Sequence, residues 1–219
     1  MKKVVLAGAG TMGSSLAQVY ASAGWDTFLY NRSETGLERA AALIALNQST
    51  LVENGIQEAG KAEEVKAAVR YTTGKEVFCD ADLVVESIVE DMAAKKAFWA
   101  DVSARVPAEA LLATNTSGLH ISEIAEAVRE PSRFLGQHWL NPPHLLPLCE
   151  IVVGEKTAPE VVDVMRELVR GLGKSPVVVK DINGFLINRL QFAVLREALN
   201  LVDSGAATLE DVDTVMKGG

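Results

Sequence analysis

The feature that most constrains this chain is Gly8-Ala9-Gly10-Thr11-Met12-Gly13, set between an apolar stretch at residues 4–7 and a segment of helical periodicity at 12–23. As a bare pattern, G-x-G-x-x-G is weak, because glycines are common in turns. Between a strand and a helix, with a second strand following at 25–30, it acquires a physical meaning. The first glycine permits a tight turn, the second lets backbone approach a pyrophosphate, and the third lets helix and strand pack closely. The helix N-terminus adds free amide donors and partial positive charge. A plain βα turn needs none of the three. Gly8, Ala9, Gly10, Thr11, Met12 and Gly13 are therefore candidate cofactor-binding residues.

The rest of the chain continues the alternation. A long Ala-rich helix at 36–53 breaks at Asn54-Gly55, a strong turn signal, and a second helix follows near 61–69, so this stretch reads as a helical hairpin. Strands are predicted at 82–86, 111–113, 134–139, 148–153 and 177–180, with helices at 93–105, 121–128 and 160–172. Strands separated by helices imply βαβ crossovers: an α/β fold, a doubly wound Rossmann-type parallel sheet with a helical hairpin insertion. We place this dinucleotide-binding domain at 1–182. Asp181-Ile182-Asn183-Gly184 reads as a linker, and 183–219 as the start of an all-α C-terminal domain. In it, 185–202 is apolar on most sides and is predicted to be a buried helix. Thr208 with Asp211 resembles a helix-starting capping pattern. One and a half helices cannot bury their own faces, so this domain reads as incomplete.

Composition excludes several classes. With Lys and Arg at 21 against Asp and Glu at 29, the formal charge is -8, which disfavours nucleic acid or an anionic membrane as partner. No run approaches the ~18 apolar residues of a membrane span. Two cysteines, Cys79 and Cys149, give no disulfide framework and suit a reducing, cytoplasmic setting. No metal site is expected. Met1-Lys2-Lys3, an apolar stretch and Ala21-Ser22-Ala23 imitate a signal peptide. Three glycines interrupt the stretch and cleavage would remove the nucleotide loop, so we reject that reading.

The second strand ends in Asn31-Arg32-Ser33, where NAD-binding folds usually carry an acidic residue for the ribose 2′-hydroxyl. Asn31 can hydrogen-bond the ribose without repelling a phosphate. Arg32 can stack on adenine and neutralise a 2′-phosphate, and Ser33 adds a hydroxyl donor. The cofactor is expected to be NAD(P), with NADP favoured over NAD.

Gly136-Gln137-His138-Trp139-Leu140-Asn141-Pro142-Pro143 is dense in unusual residues. His138 shares a strand face with Phe134 and Gly136 by period-two alternation. The chain returns at 148–153 carrying Glu150. If the two strands lie side by side, this carboxylate reaches the imidazole, orients it and stabilises imidazolium. Ser117 follows the 111–113 strand at the carboxyl end of the sheet, where open α/β folds bind ligands; alone it is an ordinary turn serine. Asn188 is polar on an otherwise apolar stripe with Phe192, Leu195 and Leu199. It is either a core hydrogen bond or a ligand contact.

These residues together resemble the 3-hydroxyacyl-CoA dehydrogenase superfamily. The resemblance runs from Lys3 to Lys217 through GAGTMG, Val85-Glu86-Ser87-Ile88-Val89-Glu90, Asn115-Thr116-Ser117, His138-Trp-Leu-Asn141-Pro, Glu150 and Asp181-Ile-Asn-Gly184-Phe-Leu-Ile-Asn188-Arg189. It implies that His138, paired with Glu150, takes a hydroxyl proton while hydride moves to a nicotinamide, and that Ser117 and Asn188 hold the substrate oxygen. It also implies cofactor contacts at Glu90, Lys95, Ser117 and Asn141, and a homodimer made by the complete helical domain. Asn31 replaces the family's usual aspartate, and Gly118 a common second serine. The loop from Asn141 to Leu148 and Ser175-Pro176 look closer to the branch of gulonate dehydrogenase (lambda-crystallin) and carnitine dehydrogenase, which act on free 3-hydroxy acids. Short-chain 3-hydroxyacyl-CoA is the first expected substrate, a free 3-hydroxy acid the second. A non-catalytic, crystallin-like nucleotide binder is the third reading. In acyl-CoA enzymes the hairpin would meet CoA. Its Glu34, Glu38 and Glu53 against Arg39 are poor company for CoA phosphates, with Lys61, Lys66 and Arg70 available to compensate.

Overall fold

The computed structural model describes residues 2–218. Its strands are β1 Lys3–Ala7, β2 Asp26–Tyr30, β3 Val69–Thr72, β4 Leu83–Glu86, β5 Leu111–Thr114, β6 Phe134–Trp139, β7 Leu148–Val153 and β8 Ser175–Lys180. They form one sheet in the order β3-β2-β1-β4-β5-β6-β7-β8. The six strands from β3 to β6 are parallel, β7 pairs antiparallel with β6, and β8 runs parallel to β7. The chain returns to the middle of the sheet between β3 and β4, so the crevice at the β1/β4 switch point opens at the carboxyl ends of the strands.

The helices are α1 Thr11–Ser22, α2 Glu34–Glu53, α3 Ala59–Ala68, α4 Met92–Val102, α5 Ile121–Ile124, α6 Pro159–Gly171, α7 Ile187–Asp203 and α8 Leu209–Gly218. They cover both sheet faces, which is why the central strands read as unbroken apolar runs. On one face Val4, Leu6, Leu83 and Val85 pack with Leu16, Tyr20, Ile44 and Met165. On the other, Val5, Ala7, Val84 and Phe134 pack with Trp99, Ile124 and Phe185. The α2–α3 hairpin is docked on α1 by a buried amide pair, Gln48 Nε2 donating to Gln18 Oε1 (2.8 Å), and half-buried Gln57 donates to Gln48 within the hairpin.

Three expectations are corrected. Val69, expected to end a helix, instead opens the edge strand β3. The helix at 121–128 is a single α turn followed by a 3-10 turn at Ala125–Ala127. The helix expected to be buried over 185–202 is exposed along its length, with Leu190, Phe192, Leu195 and Leu199 each about half accessible. Apolar faces show that a helix needs cover. Within the described residues α7 packs chiefly on α8 and is tied to the sheet at its first turn. The Thr208–Asp211 pattern does cap α8, each backbone amide donating to the other side chain.

Candidate active site

Gly8 sits at φ +111, a conformation open to glycine, and its amide closes the turn on Tyr30 O (2.9 Å). A Cβ on Gly13 would collide with the Gly8 carbonyl, whereas a Cβ on Gly10 meets nothing within 4 Å. Gly10 is the N-cap of α1, with no side-chain cap and no acidic residue in the first turn. The loop leading into this helix end lines a cleft of about 750 Å³ through Gly8, Ala9 and Gly10, with Asn31, Arg32 and Ser87, among others. The Ser87 hydroxyl is buried there with no partner among the described residues. An uncapped helix end, a cradle without side chains and an orphan hydroxyl fit a dinucleotide. Gly10→Ala is expected to leave the melting temperature unchanged but weaken cofactor binding about tenfold or more, read by titration. Gly13→Ala is expected to cost about 1–3 kcal/mol of stability, because only backbone could yield.

The Asn31 side-chain nitrogen donates to Ser33 O (3.1 Å) and Ser33 Oγ (3.2 Å), and Ser33 Oγ accepts from Gly36 N at the start of α2. Both residues thus shape the loop. Lys75, also lining the cleft, is paired with Asp101 (2.6 Å). Arg32 is exposed and has no ion pair among the described residues.

The antiparallel register places His138 opposite Glu150. His138 Nδ1 lies 2.6 Å from Glu150 Oε2, and both side chains are buried, at 4% and 1% exposure. Glu150 Oε1 accepts from the Leu186 and Ile187 amides, each at 2.9 Å. Burial pushes this carboxyl upward, but the imidazole and the two amides outweigh it and hold it below its ordinary value. An ionised carboxylate fixes Nδ1 as the donor, leaving Nε2 as the acceptor.

His138 lines a second cleft of about 400 Å³ with Thr11, Met12, Asn115, Ser117, Asn141 and Asn188. Thr11 and Met12 begin α1, so this cleft adjoins the glycine loop. Asn188 Nδ2 donates to the Ser117 carbonyl (2.9 Å). The loop carrying Asn141 is held by Lys174, whose ammonium donates to Pro143 O (2.7 Å) and Leu146 O (3.0 Å).

Glu90 accepts from the Ser117 amide (2.8 Å) and the Thr116 hydroxyl. Burial raises its pKa, but the Thr116 hydroxyl, the Lys95 ammonium and the Ser117 amide prevail and hold it low. Lys95 has no exposed surface through which to touch a ligand in this arrangement. Its ammonium is wholly buried, 2.6 Å from Glu86 and 3.2 Å from Glu90. Glu86, also wholly buried, further accepts from Thr114 Oγ1 (2.7 Å) and Ile88 N (2.8 Å). Sequence reasoning missed Glu86 and Thr114 as supports of the site. The available signal was a carboxylate closing an apolar strand. Asn115 was missed likewise; its side-chain oxygen accepts from Trp139 N (3.0 Å) and ties β5 to β6. Among the described residues no cluster of three or more His, Cys, Asp or Glu could hold a metal. Among the described residues no helix is long and apolar enough to cross a membrane, and Cys79 and Cys149 are both free thiols.

Comparison with known proteins follows the same outline. The family model for the NAD binding domain of 3-hydroxyacyl-CoA dehydrogenase matches residues 3–182, and that for its C-terminal domain matches 184–219. The chain is 35% identical to a 3-hydroxybutyryl-CoA dehydrogenase of Clostridioides difficile, covering 99% of this chain and 77% of that protein. It is 34% identical to the 5-formyl-3-hydroxy-2-methylpyridine 4-carboxylate 5-dehydrogenase of Mesorhizobium japonicum, covering 100% and 71%. The structure of (S)-3-hydroxybutyryl-CoA dehydrogenase from Ralstonia eutropha superposes with a TM-score of 0.93 at 27% identity, covering 100% of this chain and 77% of that one.

Proposed function

The chain belongs to the 3-hydroxyacyl-CoA dehydrogenase family, and we propose that it oxidises the hydroxyl of a short L-3-hydroxyacyl-CoA to the 3-oxo compound with hydride transfer to NAD(P). The observation that carries this reading is the buried His138–Glu150 pair at the wall of a cleft adjoining the glycine loop. In the proposed step the C3 hydrogen leaves with its electron pair, the O–H bond breaks, and a C=O bond forms. The hydroxyl proton passes to His138 Nε2, and Glu150 stabilises the imidazolium. The bound nicotinamide supplies the hydride acceptor. The Ser117 hydroxyl and the Asn188 side chain, which is tied to the Ser117 backbone carbonyl and lines the same cleft, hold the reacting oxygen. The cofactor is held by the loop from Gly8 to Gly13, Asn31, Arg32, Ser33, Glu90, Ser117 and Asn141, with Lys95 acting through Glu90.

We assign residues 1–182 to the nucleotide-binding domain and 183–219 to the start of the helical domain. We place the protein in the cytoplasm as a homodimer made by the complete helical domain, to which the exposed apolar faces of α7 and α8 belong.

A second substrate reading, a free 3-hydroxy acid, is supported by the hairpin. The three cations that could compensate for its carboxylates are already engaged: Lys61 with Glu64, Lys66 with Glu63, Arg70 with Asp26. The carboxylate in the name of the Mesorhizobium relative points the same way. Steady-state assays with 3-hydroxybutyryl-CoA and free 3-hydroxybutyrate separate the two. The first reading expects turnover of the thioester, and no turnover of any 3-hydroxyacyl-CoA overturns it.

NADP is favoured because Arg32 has no competing ion pair and no carboxylate ends β2. The alternative, NAD, would be held through Asn31, whose nitrogen is spent on Ser33 and whose oxygen suits a ribose hydroxyl. Arg32→Ala is expected to weaken NADPH about tenfold while leaving NADH within about twofold, measured by direct titration. Equal effects on both cofactors would exclude a 2′-phosphate contact.

A further inference from the structure

Glu150 does more than face His138. Its two oxygens are divided: Oε2 meets the imidazole, and Oε1 accepts both the Leu186 and the Ile187 amides. Leu186 is the N-cap of α7 and Ile187 its first residue, so the carboxylate caps a helix whose orphan amides would otherwise need water. We propose that the first turn of α7 is a positioning element of the catalytic pair: the Leu186 and Ile187 amides lock the Glu150 carboxylate, so the tautomer and orientation of His138 depend on how α7 is seated. The proposal rests on His138 and Glu150 being the acid–base pair.

Three observations carry it. First, among the described residues no residue of α7 is buried, so within this chain the seat of the helix on the sheet rests on its first turn. What ties it there is this amide pair, the Asn188–Ser117 contact and Phe185 immediately before it. Second, Phe185 is 1% exposed and its ring centroid lies 5.3 Å from that of His138. The side chain that anchors the helix therefore also packs on the imidazole. Third, Phe185 has φ +48, a strained conformation for a bulky residue, which persists where its surroundings enforce it. Here it turns the next two amides onto the carboxylate while burying the ring. Because one carboxylate serves both ends, the coupling is reciprocal: loosening α7 must loosen His138, and removing the carboxylate must loosen the first turn of α7.

Two measurements on the full chain test this, and neither needs turnover. Amide hydrogen exchange across residues 186–190 reads the seating of the helix. Nitrogen chemical shifts of the His138 ring read its tautomer. Glu150→Ala is expected to speed exchange at Leu186 and Ile187 about 10- to 100-fold. Glu150→Gln, whose carbonyl can still accept both amides, should keep most of that protection while reversing the tautomer. Phe185→Gly, which keeps Glu150 and His138, should speed the same exchange and turn a single Nδ1–H tautomer into a mixture. Unchanged exchange in Glu150→Ala would overturn the proposal. So would a Phe185→Gly protein whose helix exchanges faster while the His138 signals stay as in the wild type. A folded wild type with the coupling but no dehydrogenase activity would refute the proposed function and leave the coupling standing.

Discussion

His138→Gln is expected to lower turnover by about 10²–10⁴-fold, the usual contribution of a positioned acid–base group. Cofactor affinity should hold within about twofold, since the glycine loop and the α1 N-terminus that bind it are separate elements. The argument is geometric. The imidazole is pinned through Nδ1 to a carboxylate that itself has no free oxygen, so only Nε2 is available to a substrate hydroxyl. Glutamine can occupy the space but cannot take up the proton. Stopped-flow single turnover separates the chemical step from product release. A burst as fast as the wild type's would remove His138 from the mechanism, whatever the steady-state rate.

Glu86→Ala should be the most destabilising single substitution near the site. Glu86 and Lys95 are both wholly buried, and breaking such a pair from one side leaves an uncompensated charge, at a cost of about 3–5 kcal/mol. The Thr114 hydroxyl and the Ile88 amide lose their acceptor as well. Since Glu90 still lies 3.2 Å from the ammonium, the lower end of that range is expected. The double variant Glu86→Gln/Lys95→Met removes both charges and should be less destabilised than the sum of its single changes. Denaturant unfolding measures the wild type, Glu86→Ala, the double variant and its two single changes. A Glu86→Ala chain within about 0.5 kcal/mol of the wild type would show that the pair is not structural.

The two halves of the site were unequally legible in the sequence. β6 and β7 match their expected spans because the proline-rich loop between them cuts both sharply, and a hairpin-like return across 12 residues brings Glu150 to His138. The glycine loop was legible for a similar reason, since its function is local to one turn. Glu86 and Lys95 meet only because a βα crossover folds the start of α4 back over the end of β4, and no periodicity encodes that. Lys95 therefore read as a surface charge or a ligand contact, and its burial emerged only in three dimensions. β3 escaped because it is a four-residue edge strand with Arg70 and Tyr71 exposed, which supply little alternation to detect. The apolar stripe of α7 announced that the helix needs cover. Its first turn, which engages the Glu150 carboxylate, carries no sequence signal at all, because backbone amides are the donors.

The central claim is that a substrate carbon delivers hydride to a nicotinamide beside His138. Single-turnover reaction with 3-hydroxybutyryl-CoA deuterated at C3 tests it most directly. The account predicts that deuterium appears on the nicotinamide ring of the reduced cofactor, and that the burst is slower than with the protium substrate. Cofactor that binds at its expected affinity yet stays oxidised, with no label transferred, would contradict it.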